Sequence, residues 1–233
     1  MLRIKIFLDG ADRPSMLEMN KTPLVAGFTT NPSLMRKAGV KDYRAYCQDL
    51  LTQISKPISF EVFADDFAAM NKQALEIKTW GENVYVKIPI TNSKGESAIP
   101  LIRELSHSGV KLNVTALYTI KQVWETAQAV QGGAPSIASV FAGRTGDVGH
   151  DPIPIMLAAA EICRTTDKNI ELLWASTREA FNVIQAEQCG CQIITAPGDV
   201  IKKVAGFGKD LTQLSLETVQ TFKTDSDAAG FFL

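Results

Sequence analysis

Lys87 stands inside an otherwise apolar run, Val84-Tyr85-Val86-Lys87-Ile88-Pro89-Ile90. Burying an ammonium is costly, and desolvation favours the neutral amine, a nucleophile able to form a Schiff base with a carbonyl. The same side chain could instead lay its stem along a sheet and pair its charge with Glu61 or Asp9. Composition and spacing leave both roles open. Asp9 ends one apolar run and Glu61 lies near the end of another. Each carboxylate could cap a following helix, as Asp9 would before Ala11-Asp12, or join Lys87 in a proton-transfer set. Arg144 and Arg178, with Ser176, follow two later apolar runs, and guanidinium forks suit phosphate oxygens. Gly143-Arg144-Thr145-Gly146-Asp147-Val148-Gly149 reads as a glycine-bearing loop that offers backbone N–H groups to the same anion. Either arginine alone would pass for a solvated surface charge; two after adjacent runs point to a phosphate.

Eight apolar runs must position these groups: Ile4–Asp9, Leu24–Phe28, Ile58–Phe63, Val84–Ile88, Lys111–Thr115, Ser136–Phe141, Ile170–Ala175 and Cys191–Ala196. Most are apolar at consecutive positions, the pattern of strands covered on both faces in a parallel sheet. Helical spacing fills the gaps at Asp42–Ile54, Asp66–Thr79, Glu96–Ser108, Thr119–Val130, Pro152–Thr165, Thr177–Glu187 and Asp199–Val204. Asn31-Pro32 and Asp151-Pro152 carry helix-start signals, and Gly109 follows a helix end. No Pro/Ser/Gly-rich linker, low-complexity tract or repeat interrupts the series. Eight βα units of about 25–30 residues close most economically as a single (β/α)8 TIM barrel, an α/β fold. We expect the barrel over residues 1–206. A C-terminal arm follows over 207–233 with an extra helix at Asp210–Thr224. An open doubly wound sheet is the alternative, but no G-x-G-x-x-G follows the first strand. The tail Gly230-Phe231-Phe232-Leu233 either folds back on its own barrel or packs against a neighbouring subunit.

In such a barrel the chemistry gathers at the C-terminal strand ends. The first strand ends in Asp9, the second in Thr29-Thr30-Asn31, the third carries Glu61 and the fourth Lys87. Asn113 and Thr115 belong to the fifth, Ser139 to the sixth with Arg144 beyond, and Ser176 with Arg178 follows the seventh. The eighth adds nothing polar to this reading.

With 233 residues, 45% hydrophobic and 21% charged, and a net charge of −1, the chain has the profile of an ordinary soluble globular protein. Near-neutrality argues against a broad basic surface for nucleic acid, and no run approaches the ~18 apolar residues that span a bilayer. MLRIKIFLDGAD reads as a first strand, not a signal peptide, so the cytoplasm is the expected compartment. Four cysteines are too few for a disulfide scaffold; Cys47 and Cys163 read as buried thiols. Cys189-x-Cys191 lacks a second cysteine pair, and His107 and His150 are distant, so no zinc site is expected.

Taken in order, these motifs resemble the transaldolase family, in particular its short-chain branch, which includes the fructose-6-phosphate aldolases. Ile6-Phe7-Leu8-Asp9 is similar to the first strand with its proton-transfer aspartate. Gly27-Phe28-Thr29-Thr30-Asn31-Pro32-Ser33-Leu34 resembles the T-T-N-P-S signature, whose asparagine contacts substrate. Val84–Pro89 resembles the strand that holds the Schiff-base lysine. Asn113-Val114-Thr115 and Ser139-Val140-Phe141-Ala142-Gly143-Arg144 match later segments, the second ending in a phosphate-binding arginine. Ala175-Ser176-Thr177-Arg178 resembles the other phosphate-binding element. Glu61 and Phe141 stand where the aldolases have glutamine and tyrosine, so the resemblance is to a transaldolase proper. Gly10 after Asp9 and Gly149-His150-Asp151-Pro152 depart from the branch pattern.

The resemblance implies that Lys87 attacks the ketone of a ketose phosphate while Glu61 and Thr115 relay protons through a water. Asp9 then takes the C4 hydroxyl proton and the C3–C4 bond breaks. Asn31 and Asn113 would hold the dihydroxyacetone unit, Thr30, Ser139 and Phe141 would also bind substrate, and Arg144, Ser176 and Arg178 would anchor the phosphate. No metal or organic cofactor is expected, because the protonated imine is the electron sink. Expected partners are sugar phosphates and further copies of the chain, in a pentamer or decamer with exchanged C-terminal helices. Neither nucleic acid nor membrane is expected. The rival readings are an aldolase releasing free dihydroxyacetone and a silent sugar-phosphate-binding barrel.

Overall fold

The computed structural model describes residues 2–231. Eight parallel strands close into a barrel in sequence order: β1 (Lys5–Asp9), β2 (Val25–Thr29), β3 (Ile58–Glu61), β4 (Val84–Pro89), β5 (Leu112–Leu117), β6 (Ser136–Val140), β7 (Ile170–Trp174) and β8 (Ile193–Ala196). Each of the eight apolar runs becomes a strand. Their consecutive hydrophobicity has the expected cause. Ile6, Leu8, Phe28, Phe60, Val86, Ile88, Val114, Val140 and Leu172 are buried, and so are their alternate neighbours Phe7, Ser59, Lys87, Asn113, Ser139 and Leu173. One set meets the surrounding helices and the other fills the barrel.

Eleven helices are seen among the described residues: α1 (Arg13–Asn20), α2 (Pro32–Lys37), α3 (Tyr43–Leu51), α4 (Phe67–Lys78), α5 (Ile99–His107), α6 (Ile120–Val130), α7 (Ala142–Asp147), α8 (Ile153–Thr166), α9 (Asn182–Gln188), α10 (Gly198–Val204) and α11 (Leu211–Ala229). Two, α1 and α7, were not expected, and a third, α2, was signalled only at its start. α1 buries only Met16, so it has no apolar stripe to read; Asp12 starts it by accepting from Ser15 N at 3.0 Å. α2 is one and a half turns, begun by Asn31 and Pro32. α7 corrects the reading of residues 143–149 as a loop. Its two glycines lower helix propensity, and a tertiary contact described below sets its start. α9 begins at Asn182, not Thr177; the Asn182 Oδ1 accepts from the Arg178 and Glu179 N–H groups at 3.0 and 3.1 Å and holds the preceding segment in a turn.

The barrel's middle is plugged by Phe7, Ile137, Leu173, Ala175 and Ile193, with Tyr85 and Phe141 packed against them. Gly27 makes this possible: a Cβ there would lie 2.6–2.8 Å from the Phe7 ring atoms. Below the plug, Lys5 pairs with Glu171. Above it the interior turns polar.

The chain divides after Ile201 into two compact units. The second contains α11, whose first turn is capped by Asp210 accepting from Gln213 N at 2.9 Å and whose end is set by Gly230 at φ +66°. No residue of α11 is buried, and Leu211, Leu214, Leu216, Val219 and Phe222 are exposed. Phe232 and Leu233 of the apolar tail lie outside the described residues. No helix among the described residues is long and apolar enough to cross a membrane.

Candidate active site

Register brings the polar residues together. Glu61 pairs across the sheet with Lys87, and Lys87 with Asn113. On the other side of the barrel, Asp9 pairs with Thr29, and Phe7, one inward position below Asp9, with Thr195. Because side chains alternate along each strand, these pairings put Asp9, Thr29, Glu61, Lys87, Asn113 and Thr195 on the inner face near the C-terminal strand ends.

Lys87 is buried, at 7% exposure, yet it lines a cleft at the C-terminal mouth. Its Nζ lies 3.0 Å from Glu61 Oε2 and donates to the Thr30 carbonyl at 3.0 Å. Of the two carboxylates that could pair with it, Glu61 is the one that does. One hydrogen bond and one ion-pair contact leave the three-donor amine room for another group. The ion pair also gives the ammonium proton a place to go, so pairing and nucleophilic chemistry are compatible.

Asp9 caps no helix, since Asp12 takes that role. Its Oδ1 accepts from Thr29 Oγ1 at 2.8 Å, and Thr29 Oγ1 lies 2.5 Å from Thr195 Oγ1. With the Thr29 proton committed to Asp9, Thr195 is the donor to Thr29, so a short hydroxyl chain ends on the carboxylate. Burial raises the Asp9 carboxyl above its ordinary value, against the pull of the Lys87 charge and the Thr29 hydrogen bond. A carboxyl pushed up by desolvation is a better proton acceptor than an exposed one.

Asn113 is held at both ends of its amide: Nδ2 donates to Ser59 Oγ at 2.9 Å and Oδ1 accepts from Ser139 Oγ at 2.6 Å. Its second N–H remains for a ligand. Asn31 spends Oδ1 on the α2 cap at Leu34 N, 2.9 Å, which leaves its NH₂ toward the cleft it lines. Thr115 is 3% exposed, lines the cleft, and its Oγ1 has no hydrogen-bond partner. A buried hydroxyl without a partner costs free energy that a bound water or substrate oxygen would recover.

Arg144, on α7, places its guanidinium carbon 5.3 Å from the Phe141 ring centroid, and Phe141 leans on Tyr118 at 5.6 Å. Ser176 lines the same end of the cleft in its left-handed backbone conformation. Gly143 passes so near that a Cβ would fall 1.6 Å from the Ser176 carbonyl oxygen. Arg178 is engaged elsewhere. Its Nε donates to both Asp147 carboxylate oxygens at 2.9 and 3.1 Å, with its terminal nitrogen on the same group. It does not line the cleft, and neither do Thr30 and Glu61, which reach Lys87. Thr195 and Ser59 were missed as site residues. Each is a small hydroxyl in an apolar run that carries a second polar residue, Glu61 beside Ser59 and Gln192 before Thr195, so neither stood out as Lys87 did. Among the described residues, no group of three or more His, Cys, Asp or Glu is arranged to hold a metal ion.

An amine, the Asp9 carboxylate, an unpartnered hydroxyl and a guanidinium in one cleft, with the Glu61 carboxylate against the amine, suit carbonyl chemistry on an anionic substrate. The chain is similar to known proteins over nearly its whole length. Residues 6–232 match the family model described as transaldolase/fructose-6-phosphate aldolase. A probable transaldolase of Methanococcus maripaludis (strain C7) is 36% identical over 92% of this chain and 94% of its own. A probable transaldolase of Thermoanaerobacter sp. (strain X514) is 34% identical over 97% and 99%. In fold alone, the tryptophan synthase A-subunit of Pyrococcus furiosus superposes with a TM-score of 0.58 at 14% identity, over 92% of this chain and 96% of that one. The chain therefore belongs to the transaldolase/fructose-6-phosphate aldolase family.

Proposed function

We propose that the protein is a transaldolase that moves a dihydroxyacetone unit between sugar phosphates through a Schiff base on Lys87. The observation that carries this is the Lys87 amine, buried at the cleft floor with Glu61 Oε2 at 3.0 Å. Binding alone has no use for a desolvated amine beside an acid, which speaks against a silent barrel.

In this reading Lys87 Nζ adds to the C2 carbonyl of a ketose phosphate such as fructose 6-phosphate. Glu61 takes the amine proton, and the carbinolamine loses water as Glu61 and a water on Thr115 Oγ1 return a proton to the leaving hydroxyl. Asp9 removes the C4 hydroxyl proton. The C3–C4 bond breaks, the shortened aldose phosphate leaves with a new C=O, and the bonding pair moves into the iminium to give an enamine. Asn31 and Asn113 hold the three-carbon unit until an acceptor aldehyde arrives, and the steps reverse. Arg144 and Ser176 bind either phosphate, joined by Arg178 once it releases Asp147.

Phe141 supports transfer over simple cleavage. A phenyl ring offers no hydroxyl to protonate and discharge the enamine, so the enamine survives to meet an acceptor. The exposed apolar residues of α11 support association of copies through the arm, in a homo-oligomer. The test is product analysis from fructose 6-phosphate with and without erythrose 4-phosphate, on the wild type and on Lys87→Arg. The proposal expects acceptor-dependent turnover that Lys87→Arg abolishes. Free dihydroxyacetone released at the same rate without acceptor would make the protein an aldolase instead.

A further inference from the structure

We propose that Tyr43, on α3, is a positioning residue: its hydroxyl takes the place of one backbone hydrogen bond so that the Thr30 carbonyl is left for Lys87. This rests on the Schiff-base reading above. In the parallel pairing of β2 and β3, Phe28 N donates to Pro57 O and Thr30 N to Ser59 O. The ladder's next step would send Glu61 N–H to Thr30 O. That bond is absent. Glu61 N–H donates instead to Tyr43 Oη at 2.9 Å, and Tyr43 O–H donates to the Glu61 carbonyl at 2.9 Å. Thr30 O accepts from Lys87 Nζ at 3.0 Å.

A single phenol thus satisfies both backbone groups of the residue whose carboxylate meets Lys87. It also keeps the neighbouring strand from claiming the carbonyl that holds the amine. The ring is fixed by Phe63, edge-on at 5.5 Å, and by Trp80 at 6.1 Å. Burial raises the phenol far above the ordinary tyrosine value, so it keeps the proton it donates to the Glu61 carbonyl.

Tyr43→Phe keeps the ring and deletes the bridge. Glu61 N–H then turns to Thr30 O and competes with Lys87. The experiment measures borohydride trapping on Lys87 under saturating fructose 6-phosphate, by mass spectrometry, with kcat, KM and Tm for wild type, Tyr43→Phe and Trp80→Phe. Trp80→Phe disturbs the ring's packing and spares the hydroxyl. We expect Tyr43→Phe to slow trapping and kcat about tenfold, the scale of one or two net hydrogen bonds, with KM within about twofold. Trp80→Phe should trap at the wild-type rate even where its Tm falls as far. Trapping by Tyr43→Phe at the wild-type rate, or loss of trapping in both variants in step with Tm, would overturn the inference while leaving Lys87 in place. A wild type that forms no Lys87 adduct would overturn both it and the reading beneath it.

Discussion

Gly143→Ala tests how the phosphate end of the cleft is built. The added methyl would sit 1.6 Å from the Ser176 carbonyl oxygen and 2.7 Å from its carbonyl carbon, whereas real Cβ contacts essentially never fall below 3.0 Å. The obstacle is backbone, so no rotamer change relieves it, and one of the two segments must move by more than an ångström. Ser176 already sits at φ +66°, an unfavourable region for a residue with a side chain, and has little freedom to yield. Overpacking of this kind costs about 1–3 kcal/mol, which in a chain of this length lowers Tm by roughly 2–12 °C. The functional loss should be larger, because displacements near 1 Å in a positioning group cost on the order of 100-fold. Arg144 follows Gly143 directly, so the loss should fall on phosphate recognition. The assay compares kcat/KM for fructose 6-phosphate with that for unphosphorylated fructose. The first should drop by about 100-fold and the second by less than about threefold. Equal losses on both sugars, or none on either, would refute the assignment of the Gly143–Ser176 contact to the phosphate site.

Asp9→Asn should raise Tm at neutral pH. Burial lifts the Asp9 carboxyl above its ordinary 3.8, so the folded state holds this proton more tightly than the unfolded state does. The stabilising effect is present below 3.8 and lost as pH rises through the folded value, so the asparagine gains most at neutral pH and the gap closes near pH 4. A Tm gap that widens toward acid would reverse this sign. The same variant should still form the Lys87 adduct yet fail to cleave C3–C4, seen as trapping of the uncleaved six-carbon sugar. Asp147→Asn should lower KM for sugar phosphates several-fold with Tm unchanged, because the Asp147–Arg178 pair is half exposed and structurally weak while its carboxylate competes with the substrate's phosphate. A raised KM would instead make Asp147 the group that aims Arg178.

Much of the fold could be read because double-sided burial writes itself as consecutive apolar residues. Ile58-Ser59-Phe60 and Ile193-Ile194-Thr195 are strands for the same reason that Val84–Ile88 is. Lys87 stood out because an ammonium in such a run is rare. Thr195 and Ser59 did not, because a small hydroxyl in a strand is ordinary, and only the folded barrel places Thr195 in the cleft and Ser59 against Asn113. α7 escaped notice since its start depends on a contact with Ser176, far along the chain, and two glycines hide its helical character locally. Arg178 looked like an anion ligand. Its engagement with Asp147 belongs to tertiary structure, which places α7 beside the end of β7. Asp9 read as a possible cap in sequence, and the position where α1 begins gives that role to Asp12, which leaves Asp9 for chemistry.

The central claim is that Lys87 becomes covalently bound to substrate. Borohydride reduction in the presence of fructose 6-phosphate, followed by peptide mass spectrometry, tests it most directly. The account predicts a reduced adduct carrying a three-carbon or six-carbon sugar on the peptide containing Lys87 and on no other lysine. Turnover by the wild type with no adduct, or with the adduct on another lysine, would contradict it.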